Sequence, residues 1–131
     1  GLEGGFGQGG CSRVKKRSVA FLGIWRRMID FHLLSNGPRP GAPFSHAVEA
    51  DGWVILTGQM PTDPAAPDAP LPTGIEAQTH QVMQNLKLIL NGLGLDLSHV
   101  LQCRAYLTEF DRDYAAFNTT YKSYFPADRL P

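Results

Sequence analysis

Four histidines, His32, His46, His80 and His99, are the first candidates for chemistry, because imidazole acts near neutral pH both as a general base and as a metal ligand. Their spacing suits neither use. No two of them stand at zinc-ligand separation and no Cys-x-x-Cys accompanies them, so no metal site is expected. Ser45 directly precedes His46, but neighbours on an extended strand point to opposite faces and do not form a nucleophile–base pair. The sequence has no Gly-x-Ser-x-Gly elbow and no phosphate-cradling glycine loop before a helix, which argues against serine-hydrolase and nucleotide-binding readings. His80, between Gln78 and Gln81, reads as part of a solvated helix face. Cys103 falls in an apolar alternation and Cys11 in a glycine-rich stretch, so both read as reduced thiols.

The elements around these residues are legible. Ile29–Leu34 is a short apolar strand candidate, and Ser35–Pro43, with three prolines and two glycines, is a loop. Ser45–Ala50 and Trp53–Thr57 are strand-like runs joined by Asp51-Gly52, a dipeptide suited to a type I′ hairpin turn. Pro61–Pro72 holds five prolines and excludes a helix or an inner strand. Thr73-Gly74-Ile75-Glu76 matches a capping box with Thr73 as N-cap. Behind it Ile75, Val82, Met83, Leu86, Ile89, Leu90 and Leu93 recur at helical steps, and Gly92 and Gly94 supply the stop. Val100–Thr108 alternates, with Leu101, Cys103, Ala105 and Leu107 on one face, and predicts a strand. A second helix is expected over Asp111–Tyr124, with an aromatic stripe of Tyr114, Phe117, Tyr121 and Tyr124 or Phe125 and a stop at Pro126. Strands alternating with helices predict an α/β (α+β) domain, its sheet covered by two helices on one face.

One constellation is more specific than any single motif. Pro43-Phe44-Ser45-His46-Ala47-Val48 leads through Asp51-Gly52 to Leu56-Thr57-Gly58-Gln59, and a long helix then precedes Leu107-Thr108 and Phe117-Asn118-Thr119-Thr120-Tyr121. In order and spacing this resembles the RidA/YjgF family of imine deaminases, from about Gly41 to Pro131. The resemblance implies a chorismate-mutase-like fold with a mixed sheet, a homotrimer with clefts between subunits, and no metal or organic cofactor. It also implies hydrolysis of the 2-imino acids 2-iminopropanoate and 2-iminobutanoate to 2-keto acids and ammonia. Carried over position by position, it assigns substrate binding to Phe44, Thr57, Gly58 and Asn118. Phe44 stands where the family often has Tyr, so an aromatic surface is kept and a hydroxyl is lost. A 2-imino acid carries a carboxylate, which a fixed guanidinium recognises best. In the family that arginine follows a proline after the second helix; here Pro131 matches the proline and no matching arginine follows. The resemblance therefore implies a chain truncated before its last two strands, one of which would lie between the Trp53 and Val100 strands. No catalytic residue is certain, and weak activity or none is expected of the 131-residue chain.

Charge is unevenly distributed. Residues 1–28 carry six Lys/Arg against Glu3 alone, whereas residues 29–131 carry six bases and eleven acids, a net of −5. A mildly acidic domain repels phosphate backbones, which argues against nucleic-acid binding and against RNA cleavage. No apolar run approaches the roughly 20 residues of a membrane span. Residues 1–28 read as an extension outside the domain at 29–131, flexible by composition and foreign in pattern. Ser18–Trp25 within it is apolar enough to act as a strand in the vacant slot. The expected compartment is the cytoplasm, or the mitochondrion if the basic segment is a presequence. Two other readings remain open: a non-catalytic Rid-like binding or scaffold protein, and an inert gene fragment.

Overall fold

The computed structural model describes residues 29–131. The basic extension and its Ser18–Trp25 strand candidate lie outside the described residues. Three strands, β1 (Ile29–His32), β2 (Ala47–Ala50) and β3 (Trp53–Leu56), form an antiparallel sheet in the order β1-β2-β3. The β2–β3 hairpin turns at Asp51-Gly52, with φ of 52° and 80°. Both central residues in the left-handed region is what a type I′ turn requires, and it sets the register that pairs Ala50 with Trp53 and Val48 with Ile55.

Register sorts the sheet into two unlike faces. Ile29, Phe31, Val48, Ala50, Trp53 and Ile55 share one face; Asp30, His32, Ala47, Glu49, Val54 and Leu56 share the other. Ala47 is fully buried on the second face, where His32 Nε2 meets Glu49 Oε2 at 3.3 Å.

Two helices follow, α1 (Ile75–Gly92) and α2 (Phe110–Lys122). They pack on each other, and the His80 and Tyr124 rings meet at 5.6 Å with a 2.6 Å hydrogen bond between Nδ1 and the phenol. His80 is thus exposed, as expected, but partnered. The aromatic stripe of α2 stacks along itself, Phe110 on Tyr114 and Phe117 on Tyr121, then Tyr121 against Phe125.

Three local expectations are corrected. The helix begins one residue later than the capping box requires: Gly74, with φ of 87°, is the cap residue and no side chain caps it. Thr73 therefore precedes the cap and Glu76 falls one position short of its reciprocal site. Gln78 Nε2 donates to the Pro72 carbonyl at 2.9 Å, which ties the preceding loop to the first turn without capping its N–H groups. A reciprocal capping box does occur, but at Asp96 and His99 around a 3₁₀ turn, Leu97–His99. At the other end of α1, Gly94 (φ 73°) donates to Asn91 O and Leu95 to Leu90 O, a Schellman stop, while Gly92 remains helical.

The third correction concerns Val100–Thr108, which is not a strand here. Its alternation is intact in sequence, and Cys103 and Leu107 are half-buried, but no described backbone pairs with it. A strand exists only through its ladder, so side-chain period alone does not make one. The sheet of the described residues is accordingly wholly antiparallel rather than mixed.

Candidate active site

The loop between β1 and β2 is organised by a buried histidine. His46 Nδ1 accepts from the Leu34 amide at 2.9 Å, and Nε2 bonds the Pro38 carbonyl at 2.7 Å. An acceptor at Nδ1 and a carbonyl at Nε2 define a neutral ring with its proton on Nε2. The side chain is 1% exposed and both nitrogens are used, so His46 holds structure and is not a free base. Gly37 lies against this ring so closely that an added Cβ would stand 2.8 Å from Cε1 and Nε2.

The loop so held forms one wall of a cleft of about 350 Å³. Phe44 and Gly58, fourteen positions apart, both line it, together with Arg39, Gln59, Met60 and the acidic pair Asp63 and Asp68. Phe44 is 40% exposed, leaving ring surface available. Gln59 is committed locally, its Nε2 donating to the Thr57 and Gly58 carbonyls at 2.9 and 3.3 Å. Asp63 Oδ1 accepts from the Ala65 amide at 2.9 Å.

The remaining two sequence candidates do not line the cleft. Thr57 is next to Gly58, but its hydroxyl donates to the Ser45 carbonyl at 2.5 Å, tying β3 to the start of β2. Asn118 is half-buried on α2, away from the cleft lining. Two residues that the sequence did not single out matter to the site. Asn85, 1% exposed on α1, donates from Nδ2 to the Met60 and Thr62 carbonyls at 3.0 and 2.9 Å and accepts from Gln81 Nε2 at 3.0 Å. It fastens the proline-rich wall of the cleft to the helix. A polar residue inside an otherwise apolar stripe was its only signal. Arg39 brings a guanidinium to the cleft, with no sequence signal beyond its position between two prolines.

Comparison with known proteins decides the lineage. The sequence profile of the family described as Endoribonuclease L-PSP matches residues 34–131. This chain belongs to the RidA/YjgF family. Within the family it is 40% identical over 90 residues to Protein DfrA of Myxococcus xanthus, covering 67% of each chain. It is 32% identical over 95 residues to a goat (Capra hircus) protein named 2-iminobutanoate/2-iminopropanoate deaminase, covering 71% of this chain and 68% of that one. Among solved structures, RidA from the Antarctic bacterium Psychrobacter sp. PAMC 21119 superposes with a TM-score of 0.68 at 26% identity, over 75% of this chain and 77% of that one. The described residues therefore have the Rid fold, a two-helix, sheet-forming domain, and Phe44 and Gly58 line one cleft in it.

Proposed function

We propose that this chain is a Rid-type deaminase for small 2-imino acids such as 2-iminopropanoate and 2-iminobutanoate. The observation that carries this reading is the convergence of Phe44 and Gly58 on one cleft of a size suited to a small acid. The likeness to the goat deaminase supports the substrate class. In the reaction, water adds to the imine carbon, giving a carbinolamine, and the C–N bond then breaks to release ammonia and the 2-keto acid. The imine carbon is already electrophilic, so the protein's part is to hold the substrate, orient the water and assist proton transfer. Phe44 packs on the substrate, and Gly58 permits close approach of backbone, because it has no Cβ. Thr57, by fixing Ser45 and the β2–β3 base, positions both. Asn118 enters as the helix residue that faces substrate in the assembled protein.

The assembly proposed is a homotrimer. Support comes from the sheet face bearing Ile29, Phe31, Trp53 and Ile55, which are 54%, 70%, 63% and 70% exposed. A continuous apolar face of this kind marks an interaction surface. RNA cleavage receives no support from a domain with net charge −5 over residues 29–131.

A second reading, a Rid-like binder without catalysis, is favoured by the engagement of the Thr57 hydroxyl with a carbonyl rather than with the cleft. One assay separates the two. 2-Iminopropanoate is generated in place by a serine dehydratase, and keto-acid release is followed with and without the protein. Acceleration over buffer establishes the deaminase; unaccelerated release together with measurable keto-acid binding establishes the binder.

A further inference from the structure

His46 is a buried titratable group that the proposed reaction does not use, and it is the tie that closes the β1–β2 loop. It is 1% exposed. Its Nδ1 accepts from the Leu34 amide at 2.9 Å and its Nε2 donates to the Pro38 carbonyl at 2.7 Å, so one lone pair and one proton each have a fixed task. The main chain of His46 is bound on both sides. Its amide donates to the His32 carbonyl at 2.9 Å, and its carbonyl accepts from the Thr57 amide at 3.1 Å. The ring therefore stands on the sheet, and the loop hangs on the ring. Gly37 packs so near that an added Cβ would stand 2.8 Å from Cε1 and Nε2, which leaves the imidazole little room to turn.

A second proton on this ring acts at one place. Nδ1 gains a hydrogen and loses the lone pair that holds Leu34, so two N–H donors face each other. The charge also falls in a buried site. The bond to Pro38 survives, because Nε2 is a donor in both states. Proton uptake thus frees the loop at Leu34 and leaves it hinged at Pro38. Leu34 Cδ1 lies within 2.7 Å of where a Cβ on Gly92 would stand, so the same release reaches the end of α1. The charged groups around the ring are mixed in sign: Arg39 in the loop, Asp63 and Asp68 lining the same cleft, His32 and Glu49 on the two strands, and Lys87 on α1. The His32–Glu49 contact at 3.3 Å strengthens when His32 is protonated, and so works against opening of the sheet.

We propose that His46 is a proton-operated latch on the cleft. Neutral, it holds the β1–β2 loop, with Phe44, in place as a wall; protonated in mild acid, it lets go of Leu34 and the wall opens. That the cleft takes an imino acid rests on the deaminase reading; the latch does not.

The test is amide exchange of the full chain, followed by NMR from about pH 7.5 to about pH 5, the range in which imidazole changes charge, with each rate divided by the intrinsic rate at that pH. Protection of the Leu34 amide should fall by up to about tenfold per pH unit, the limit for uptake of one proton. Protection of Met83, in the middle of α1, should stay level. His46→Gln keeps an acceptor and a donor but does not titrate, so Leu34 protection in that variant should not respond to pH. His32→Gln should respond as wild type does. Should His46→Gln fail to fold, the ring nitrogen shifts of wild type give the answer: Nδ1 should pass to its protonated form where Leu34 protection falls. Level Leu34 protection in wild type, an equal fall in His46→Gln, or a protonated His46 ring beside a still-protected Leu34 overturns the latch. The exchange is read without substrate. A working latch without imine turnover would remove only the deaminase reading, and imine turnover without a latch would remove only the latch.

Discussion

At the scale of single residues, the cleft depends on groups that do no chemistry. His46 is buried with both nitrogens committed, and its flat ring is why position 37 is glycine. A methyl at Gly37 meets rigid, buried atoms at 2.8 Å, so Gly37→Ala should cost about 1–3 kcal/mol, the usual range for overpacking. Gly92 is the contrast. A Cβ there stands 2.7 Å from Leu34 Cδ1, the far end of a side chain that can turn away, and the helix gains up to about 1 kcal/mol from alanine. Gly92→Ala should therefore be near neutral, and urea midpoints of the two variants side by side measure the difference. Asn85 makes three hydrogen bonds from a buried position. Asn85→Ala leaves the Met60 and Thr62 carbonyls without their donor, at roughly 1–3 kcal/mol for each buried group so orphaned. It should also loosen the proline-rich wall, which amide exchange around Thr62 and Asp63 would register.

At the scale of elements, α2 is held by a titratable aromatic. Burial, then a hydrogen bond with Cys103 and the charge that thiol can carry, pushes the Tyr121 phenol well above the usual tyrosine range. Its hydroxyl donates to the Pro131 carbonyl at 3.0 Å. A phenol whose folded pKa exceeds its unfolded value of about 10 favours the neutral state, and so stabilises the fold below that pH. The contribution is present in full below about pH 10 and is lost as pH rises from there toward the folded value. Thermal midpoints of wild type should fall more steeply than those of Tyr121→Phe between about pH 9.5 and 11. Parallel slopes would show that Tyr121 ionises as freely in the fold as outside it. At the N-terminal end of α2, the Arg112 guanidinium, bonded to Asp113 at 2.7 and 2.8 Å, holds that carboxyl below the usual carboxylate range.

At the scale of the whole molecule, the sheet has one face turned inward and one left apolar and open. Ile29, Phe31, Trp53 and Ile55 share the open face through the β1-β2-β3 register. If copies of the chain meet there, a charge at its centre should dissolve the contact. Trp53→Lys is expected to reduce the mass seen in analytical ultracentrifugation from trimer to monomer, while far-ultraviolet circular dichroism is preserved. A wild-type monomer at about 100 μM would refute the trimer, since self-association of that weakness falls short of a standard interface.

Much of the fold was legible because it is written in short-range terms. Asp51-Gly52 sets the hairpin through the φ that glycine tolerates, the apolar period from Ile75 to Leu93 sets α1, and Gly94 ends it. The order Phe44, Thr57-Gly58, Asn118 carried the family. What the sequence did not contain were relations between distant segments. Thr73 and Glu76 have the types of a capping box, but the helix starts at Ile75 and puts them out of register. Val100–Thr108 alternates like a strand, yet pairing needs a partner backbone that side-chain period does not provide. Ser45 and His46 could be excluded as a pair from sequence, but the task of His46 emerged only when Leu34 and Pro38 closed on its ring. Asn85 belongs to the same class: composition and period identify its type, whereas its partners on the proline-rich wall are fixed by tertiary packing, which is a property of long-range contacts and not of local spacing.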